Sequence, residues 1–336
     1  MRRGQADRPG AGASASVRER PVPRGSGSTG AARPAATDEA RDPGAAPFDL
    51  LVVGLGPAGV ACVLQGVREG LRVVAVGDQP PGGLLPAARR LDNLPGWPGG
   101  VGGAALARRM ARQVSASGAT RVRGTVVDLR AVPGGLRATL ADGRALLGAT
   151  LCLAPGTRPV PLPWPVAGGI DPARDARDLP RDLAGRRVLV IGGGDAAFDT
   201  ALTARDRGAQ VVVLVRGPAL RAAAGLVREA AAAGIEVRTG TAVTGLAVRD
   251  GRWRVRVQDG RVLDADHVAA CIGRAPRDEL VRALAGASGP VPAAVFVAGD
   301  VHRGGERFAA AAMGDGQAAA LAAAAWIRVR GPGGMR

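Results

Sequence analysis

At 336 residues with 46% apolar content, the chain is long enough to bury two hydrophobic cores, so two domains are the expectation from length alone. Its formal net charge is +16, and all 45 basic residues are Arg, spread through the chain without a basic stripe and with aromatics at only 2%. That pattern argues against nucleic-acid binding and suits an acidic protein partner instead.

The three Cys, at 62, 152 and 271, are too far apart for any CxxC pair, and each sits in an apolar run. The spacing argues against a disulfide framework, and the chain reads as cytoplasmic with inert, buried thiols.

Residues 1–47 are rich in Ala, Gly, Pro, Ser and Arg without apolar periodicity, the composition of a disordered tail. No apolar segment follows "MRR", so it does not read as a leader. The folded part opens with "FDLLVVGLGPAGVACVLQGVREGLRVVAVGD": strand, glycine turn, helix, strand. Here Gly54, Gly56 and Gly59 fit GxGxxG in the context that gives the motif its meaning. The first glycine makes the tight turn, the second lets a pyrophosphate reach backbone N–H groups, and the third lets helix and strand pack closely.

The pattern returns in "RRVLVIGGGDAAFDTALTARDRGAQVVVLVRG", with Gly192, Gly194, Asp195 and Ala197 at the turn. Asp78 follows Gly54 by 24 positions, and Arg216 follows Gly192 by 24. Both stand where a dinucleotide's adenosine ribose is read, so the sequence predicts two dinucleotide sites. A carboxylate at Asp78 suits a ribose hydroxyl and FAD, whereas Arg216 and Arg221 suit the 2′-phosphate of NADPH.

Each unit is followed by short alternating strands that predict an antiparallel meander, "TVVDLRAVPGGLRATLADGRAL" and "TAVTGLAVRDGRWRVRVQDGRVL". A final strand, "AVFVAGDVH", carries Gly299 and Asp300 back to the first unit. The Ala-rich stretch from Ala309 to Ile327 reads as a packed helix, because Asp315, Gln317 and two Gly interrupt it too often for a membrane span. The expected architecture is α/β, with two Rossmann-like dinucleotide-binding domains, the second inserted in the first, each with a small meander. A flavin domain would comprise 48–158 and 275–330, and a nucleotide domain 159–274.

The motifs "GLGPAG", "PPGGLL", "LDNLPGWPG", "VIGGGDAAFDTAL" and "VAGDV", with "ERFAAAAMGDGQAAALAA" after them, resemble the low-molecular-weight thioredoxin reductases and the thioredoxin-reductase-like ferredoxin NADP reductases. The resemblance runs in order from Phe48 to Ile327. It implies FAD contacts at Gly54, Gly56, Pro57, Ala58, Gly59, Gly83, Leu84, Asn93, Asp300 and Arg307. It also implies a homodimer and NADPH held at Arg216 and Arg221, which match two of three Arg in the family pattern HRRxxxR, while Val215 and Gly217 depart from it.

In thioredoxin reductases a CxxC precedes the second glycine turn, and "DARD", Asp175–Asp178, occupies that position here. Carboxylates cannot take up electrons as a disulfide does, so the resemblance implies hydride transfer from NADPH to FAD without the dithiol step. Asp175 and Asp178, spaced by three, could share a helical face as an acid pair, although such a charge run more often forms a solvated loop or cap. His267 reads as a structural strand residue and His302 as part of a surface loop. A ferredoxin or flavodoxin is the expected acceptor. Past Ile327 there is no aromatic segment like the one those reductases fold over the flavin, which leaves the acceptor open. Two other readings stay open as well: a flavin dehydrogenase or oxidase acting on a metabolite, and a non-catalytic flavin-binding sensor.

Overall fold

A computed structural model describes residues 47–286 and 292–330, so the expected disordered tail, Pro47 excepted, lies outside the described residues. The apolar run β1 (Phe48–Val53) leads through a glycine turn into α1 (Pro57–Arg68) and returns in β2 (Val73–Gly77). Pro57 suits the first helical position, where no intrahelical N–H bond is lost. A single 3-10 turn, Leu85–Ala87, precedes α2 (Gly103–Ala116) and the edge strand β3 (Thr120–Arg123). The meander β4 (Val126–Val132), β5 (Gly135–Leu140) and β6 (Ala145–Leu153) then brings the chain back beside β1.

Two short strands, β7 (Thr157–Pro159) and β8 (Val166–Ala167), lead to the second unit. It runs through β9 (Arg187–Ile191), α3 (Asp195–Asp206), β10 (Gln210–Leu214), α4 (Ala224–Ala232) and β11 (Glu236–Arg238). A second meander follows, β12 (Val243–Arg249), β13 (Arg252–Val257) and β14 (Val262–Ala265), then β15 (His267–Ala270) and β16 (Arg274–Pro276). The chain closes with α5 (Glu279–Ala285), β17 (Val295–Val297) and α6 (Ala309–Arg330).

The first sheet has the order β3-β2-β1-β6-β5-β4, with β17 also paired to β6; β3, β2, β1, β6 and β17 are parallel, while β4 and β5 are antiparallel. A core fills each face. Leu50, Val52 and Ala75 meet α1, α2 and α6 on one side, and Leu51, Val74 and Val76 meet the partly buried Leu280, Val281 and Leu284 of α5 on the other. Each fully buried Leu or Val contributes about 1.5–3 kcal/mol, which makes this continuous apolar strand pair a rigid platform for the turns at its ends. The parallel sheet β11-β10-β9-β15 carries a second core under α3 and α4, and the second meander forms its own sheet, β14-β13-β12-β8. The first meander joins the main sheet through β6, whereas the second is a separate sheet whose Leu246, Trp253 and Val255 pack on Leu189, Ile191, Val212 and Leu214 of the parallel sheet. Between the two units the chain passes twice through a two-stranded ribbon, β7 against β16.

Helix α6 lies directly on α1. A Cβ at Gly316 would collide with the Ala58 carbonyl, so the helices approach backbone to backbone. No helix among the described residues is long and apolar enough to cross a membrane.

Candidate dinucleotide sites and the segment between them

At the first turn Gly54 has φ +94°, and a Cβ there would strike the Ala154 carbonyl. A Cβ at Gly59 would strike the Gly54 carbonyl. Gly56 is different: nothing lies within 4 Å of where its Cβ would stand. It is the N-cap of α1 and no side chain caps that end, so this open space lies at the uncapped N-terminus of the helix, beside Pro57 and Ala58. Such a cradle fits an anionic pyrophosphate, which the helix N-terminus favours by its N–H groups and its dipole together.

Remote segments close this cradle. Gly83, at φ +56°, places its missing Cβ 2.9 Å from Gly56 Cα, and Gly299, at φ +80°, places its own 2.8 Å from Ala58 Cβ. The Gly299 N–H donates to Asp315 Oδ2 at 3.1 Å, and Arg303 holds the same carboxylate through two bonds of 2.7 and 2.6 Å. That network ties the Gly299–Asp300 turn to α6. Burial pushes the Asp300 carboxyl up, against the pull of Arg307, Arg274 and Arg303. The Arg307 guanidinium donates to the carbonyls of Arg303 at 2.9 Å and Arg274 at 2.8 Å. Asp78 is exposed at the end of β2, Leu84 half-buried after Gly83, and Asn93 exposed in the loop before α2.

The second turn repeats this logic with local parts. Gly192 has φ +145°, and a Cβ there would strike the Cys271 carbonyl, while Gly194 has open space on its Cβ side. Ala197 fills the third position, fully buried, with its N–H donating to Gly194 O at 3.0 Å. The segment after β10 folds onto this turn: Arg221 and Ala222 donate N–H to Gly193 O at 2.8 and 3.0 Å, and Ala223 N–H donates to Asp195 Oδ1 at 2.7 Å. Asp195 thereby positions the segment bearing Arg221. Arg216 and Arg221 are both exposed, and neither has an ion pair among the described residues.

The "DARD" segment is not helical, so Asp175 and Asp178 share no helical face; it is the expected loop, with Arg177 and Asp178 exposed but Asp175 buried. It is a non-helical turn, closed by Asp178 N–H donating to Asp175 O at 3.2 Å, and Asp175 is only 8% exposed. Burial pushes the Asp175 carboxyl up, but Arg177 outweighs it through guanidinium bonds of 2.9 and 2.7 Å and a backbone N–H, so the group sits below the usual carboxylate range. Asp178 accepts the Arg174 N–H at 2.9 Å. An Asp175 held ionised is a structural anion and a poor proton donor at neutral pH.

Cys271 stands beneath this segment, with Sγ 3.6 Å from both the Arg174 carbonyl and Thr200 Oγ1, and burial pushes its thiol up to about 11. Cys62 and Cys152 are fully buried next to each other, and their mutual hydrogen bond followed by burial drives the Cys62 thiol up. Thiols kept protonated in this way are poor nucleophiles. His267 lies in β15, where burial lowers its pKa, and the exposed His302 has Nε2 3.5 Å from Asp315.

One cluster escaped the sequence reading. Arg89, just past the Gly82–Gly83 turn, reaches the second unit: its N–H donates to Asp199 Oδ2 at 2.8 Å, its Nε to Asp206 at 2.5 Å, and its Nη1 to Glu229 at 2.7 Å. Arg90 adds a longer contact to Glu229. Burial pushes the Asp199 carboxyl up to about 6, with Glu229 and Asp195 adding to the shift and Arg89 opposing it. The sequence signal was only "RRLDN", one more Arg pair in an Arg-rich chain.

A family model described as pyridine nucleotide-disulphide oxidoreductase matches residues 48–316. The chain is 28% identical to a thioredoxin reductase of Peptoclostridium acidaminophilum over 182 residues, 52% of this chain and 56% of that protein, and so spans about half that relative's length. It is 29% identical to a ferredoxin–NADP reductase of Salinispora tropica over 245 residues, 67% of this chain and 73% of that protein. The solved thioredoxin reductase of T. acidophilum superposes with a TM-score of 0.74 at 23% identity, covering 83% of this chain and 98% of that one, a likeness of fold.

Proposed function

This chain belongs to the pyridine nucleotide-disulphide oxidoreductase family, and from that premise we propose that it is an FAD- and NAD(P)H-dependent oxidoreductase that oxidises NADPH and passes the electrons singly to an external carrier, without a dithiol step. In balance, one NADPH and two oxidised carriers give NADP⁺, one proton and two reduced carriers. Bound FAD supplies the conversion from hydride chemistry to one-electron release.

In this reading the flavin domain comprises 48–158 and 275–330, with Gly54, Gly56, Gly59, Gly83 and Gly299 shaping the FAD cradle and Asp78 at the ribose. The nucleotide domain is 159–274, where α3 takes the pyrophosphate at Gly194. The observation that carries the NADPH assignment is the pair Arg216 and Arg221, both exposed and without ion pairs among the described residues, with the segment bearing Arg221 held beside the second turn by the Gly193 and Asp195 hydrogen bonds. Two guanidinium groups supply the charge and the N–H donors that a 2′-phosphate accepts. With Asp175 locked to Arg177 where the family places a CxxC, the chain's contribution to chemistry is orientation of the nicotinamide toward the flavin.

An anaerobic absorbance titration of the flavin-loaded protein tests this. NADPH should bleach the flavin at far lower concentration than NADH, and Arg216→Ala with Arg221→Ala should weaken NADPH by about 2–4 kcal/mol while leaving NADH nearly unchanged. Equal loss for both nucleotides would remove the 2′-phosphate assignment, and a flavin that neither nucleotide bleaches would leave the sensor reading. Rapid reoxidation by oxygen with peroxide release would favour the oxidase reading.

A further inference from the structure

Charge is distributed very unevenly along the chain. Elsewhere several Arg residues are held by carboxylates two positions away: Arg130 by Asp128 at 2.9 Å, Arg144 by Asp142 at 2.8 Å, Arg261 by Asp259 at 2.7 Å, Arg238 by Glu236 at 2.7 Å. Between Asp92 and Asp128 there is no carboxylate at all, yet the stretch carries Arg108, Arg109, Arg112, Arg121 and Arg123. None of the five has an ion pair among the described residues.

The fold gathers them. Leu106, Ala107, Met110 and Val114 are the buried face of α2, which leaves Arg108, Arg109 and Arg112 exposed on the opposite face. On β3 the register sets Val76 opposite Val122, in the core on the far side of the sheet, and Ala75 opposite Arg121. Strand alternation therefore directs Arg121 and Arg123 to the side where α2 packs. One end of the patch is fixed, because the Arg109 guanidinium stacks 4.4 Å from the ring centroid of Trp97, itself half-buried against the first core in the loop after Asn93.

The helix that carries the patch turns its buried face toward the candidate flavin cradle. The missing Cβ of Gly82 would stand 2.5 Å from Ala107 Cβ on α2, and that of Gly83 2.9 Å from Gly56 Cα. A single glycine turn therefore separates the helix carrying the Arg face from the opening that fits the FAD pyrophosphate.

We propose that the outer face of α2, with Arg121 and Arg123 beside it and the Arg109–Trp97 stack at its end, is the docking surface for a small acidic one-electron carrier protein of the ferredoxin class. The proposal rests on the electron-transfer reading above and adds to it a place on the molecule. Five uncompensated guanidinium groups attract a carboxylate-rich partner and speed its encounter at low ionic strength. Their place on and beside the helix that packs against the Gly82–Gly83 turn brings that partner to the flavin domain rather than to the nucleotide site, so NADPH and carrier need not compete.

The test uses the flavin-loaded full chain with an acidic plant-type [2Fe–2S] ferredoxin as probe and a neutral quinone as a carrier-independent acceptor. The variant R108E/R109E/R112E is compared with R137E/R249E/R256E, which makes the same charge change at exposed Arg residues outside the patch. The expected result is at least a tenfold fall in kcat/KM for ferredoxin at low salt in the α2 variant, with a flattened salt dependence, and quinone reduction unchanged in both variants. Quinone turnover also reports that each variant folds and binds NADPH. If wild type reduces ferredoxin and both triple variants fall equally, or neither falls, the docking surface is overturned while the electron-transfer reading stands. If wild type reduces quinone but ferredoxin at no salt concentration, the carrier reading fails and takes the docking surface with it.

Discussion

The two glycine turns share one backbone solution and differ in what closes them. Around Gly56 the cradle is completed by segments far away in sequence, Gly83 and Gly299, the latter anchored through Asp315 on α6. Around Gly194 the closing segment is the stretch directly after β10, with Arg216 and Arg221 left exposed. A site assembled from three separate segments suits a group retained through turnover, whereas a site with one local flap and open charges suits a nucleotide that arrives and leaves.

The third position of each turn offers the harshest way to break this comparison. At Gly59 the approach to the Gly54 carbonyl leaves no room for a methyl group, so Gly59→Ala should cost at least about 3 kcal/mol and leave little flavin-loaded protein. Ala197 already carries that methyl group, buried in the second core, so Ala197→Gly should cost only about 1 kcal/mol, chiefly helix propensity. Chemical denaturation of both variants measures the contrast, and a well-tolerated Gly59→Ala would mean that the first turn is less tightly closed than its geometry shows.

A subtler contrast uses the open positions. Because nothing stands within 4 Å on the Cβ side of Gly56 or Gly194, a valine at either place should fold and block only what enters from outside. Gly56→Val should purify colourless, and Gly194→Val should purify yellow but lose NADPH reduction at least a hundredfold. If both variants kept flavin and nucleotide, pyrophosphate binding at the helix N-termini would be in error.

Much of the architecture was legible because it rests on short-range rules. Glycine spacing between apolar strands specified both βαβ units, and period-two alternation specified both meanders. What stayed hidden depends on contacts between residues distant in sequence. The separate sheet of the second meander follows from β8 pairing with β12 across about 80 residues, which no local pattern announces. Burial of Asp175 was misread for a related reason: a charged run looks solvated until Arg177 folds back to satisfy it. Arg89 lies in the same class, since only the folded chain shows its carboxylate partners on α3 and α4.

That contact supplies the smallest and most discriminating prediction, because it joins the two regions compared above. Asp199 accepts the backbone N–H of Arg89, yet burial, aided by Glu229 and Asp195, holds its carboxyl near 6 instead of 3.8. The native state therefore keeps a proton that the unfolded chain releases, and the carboxyl's contribution to stability falls as pH rises from about 4 to about 6, then stays flat. Asn at this position keeps an oxygen for the Arg89 N–H and carries no charge to bury. Asp199→Asn should then stabilise the protein by about 1–2 kcal/mol at pH 7.5, less than the full shift because the site is partly hydrated, and by almost nothing at pH 4. Thermal midpoints at the two pH values decide it. A loss of stability at pH 7.5 would mean that attraction between the Asp199 carboxylate and Arg89 exceeds the cost of burial, making the charge itself part of what holds the Arg89 loop against α3.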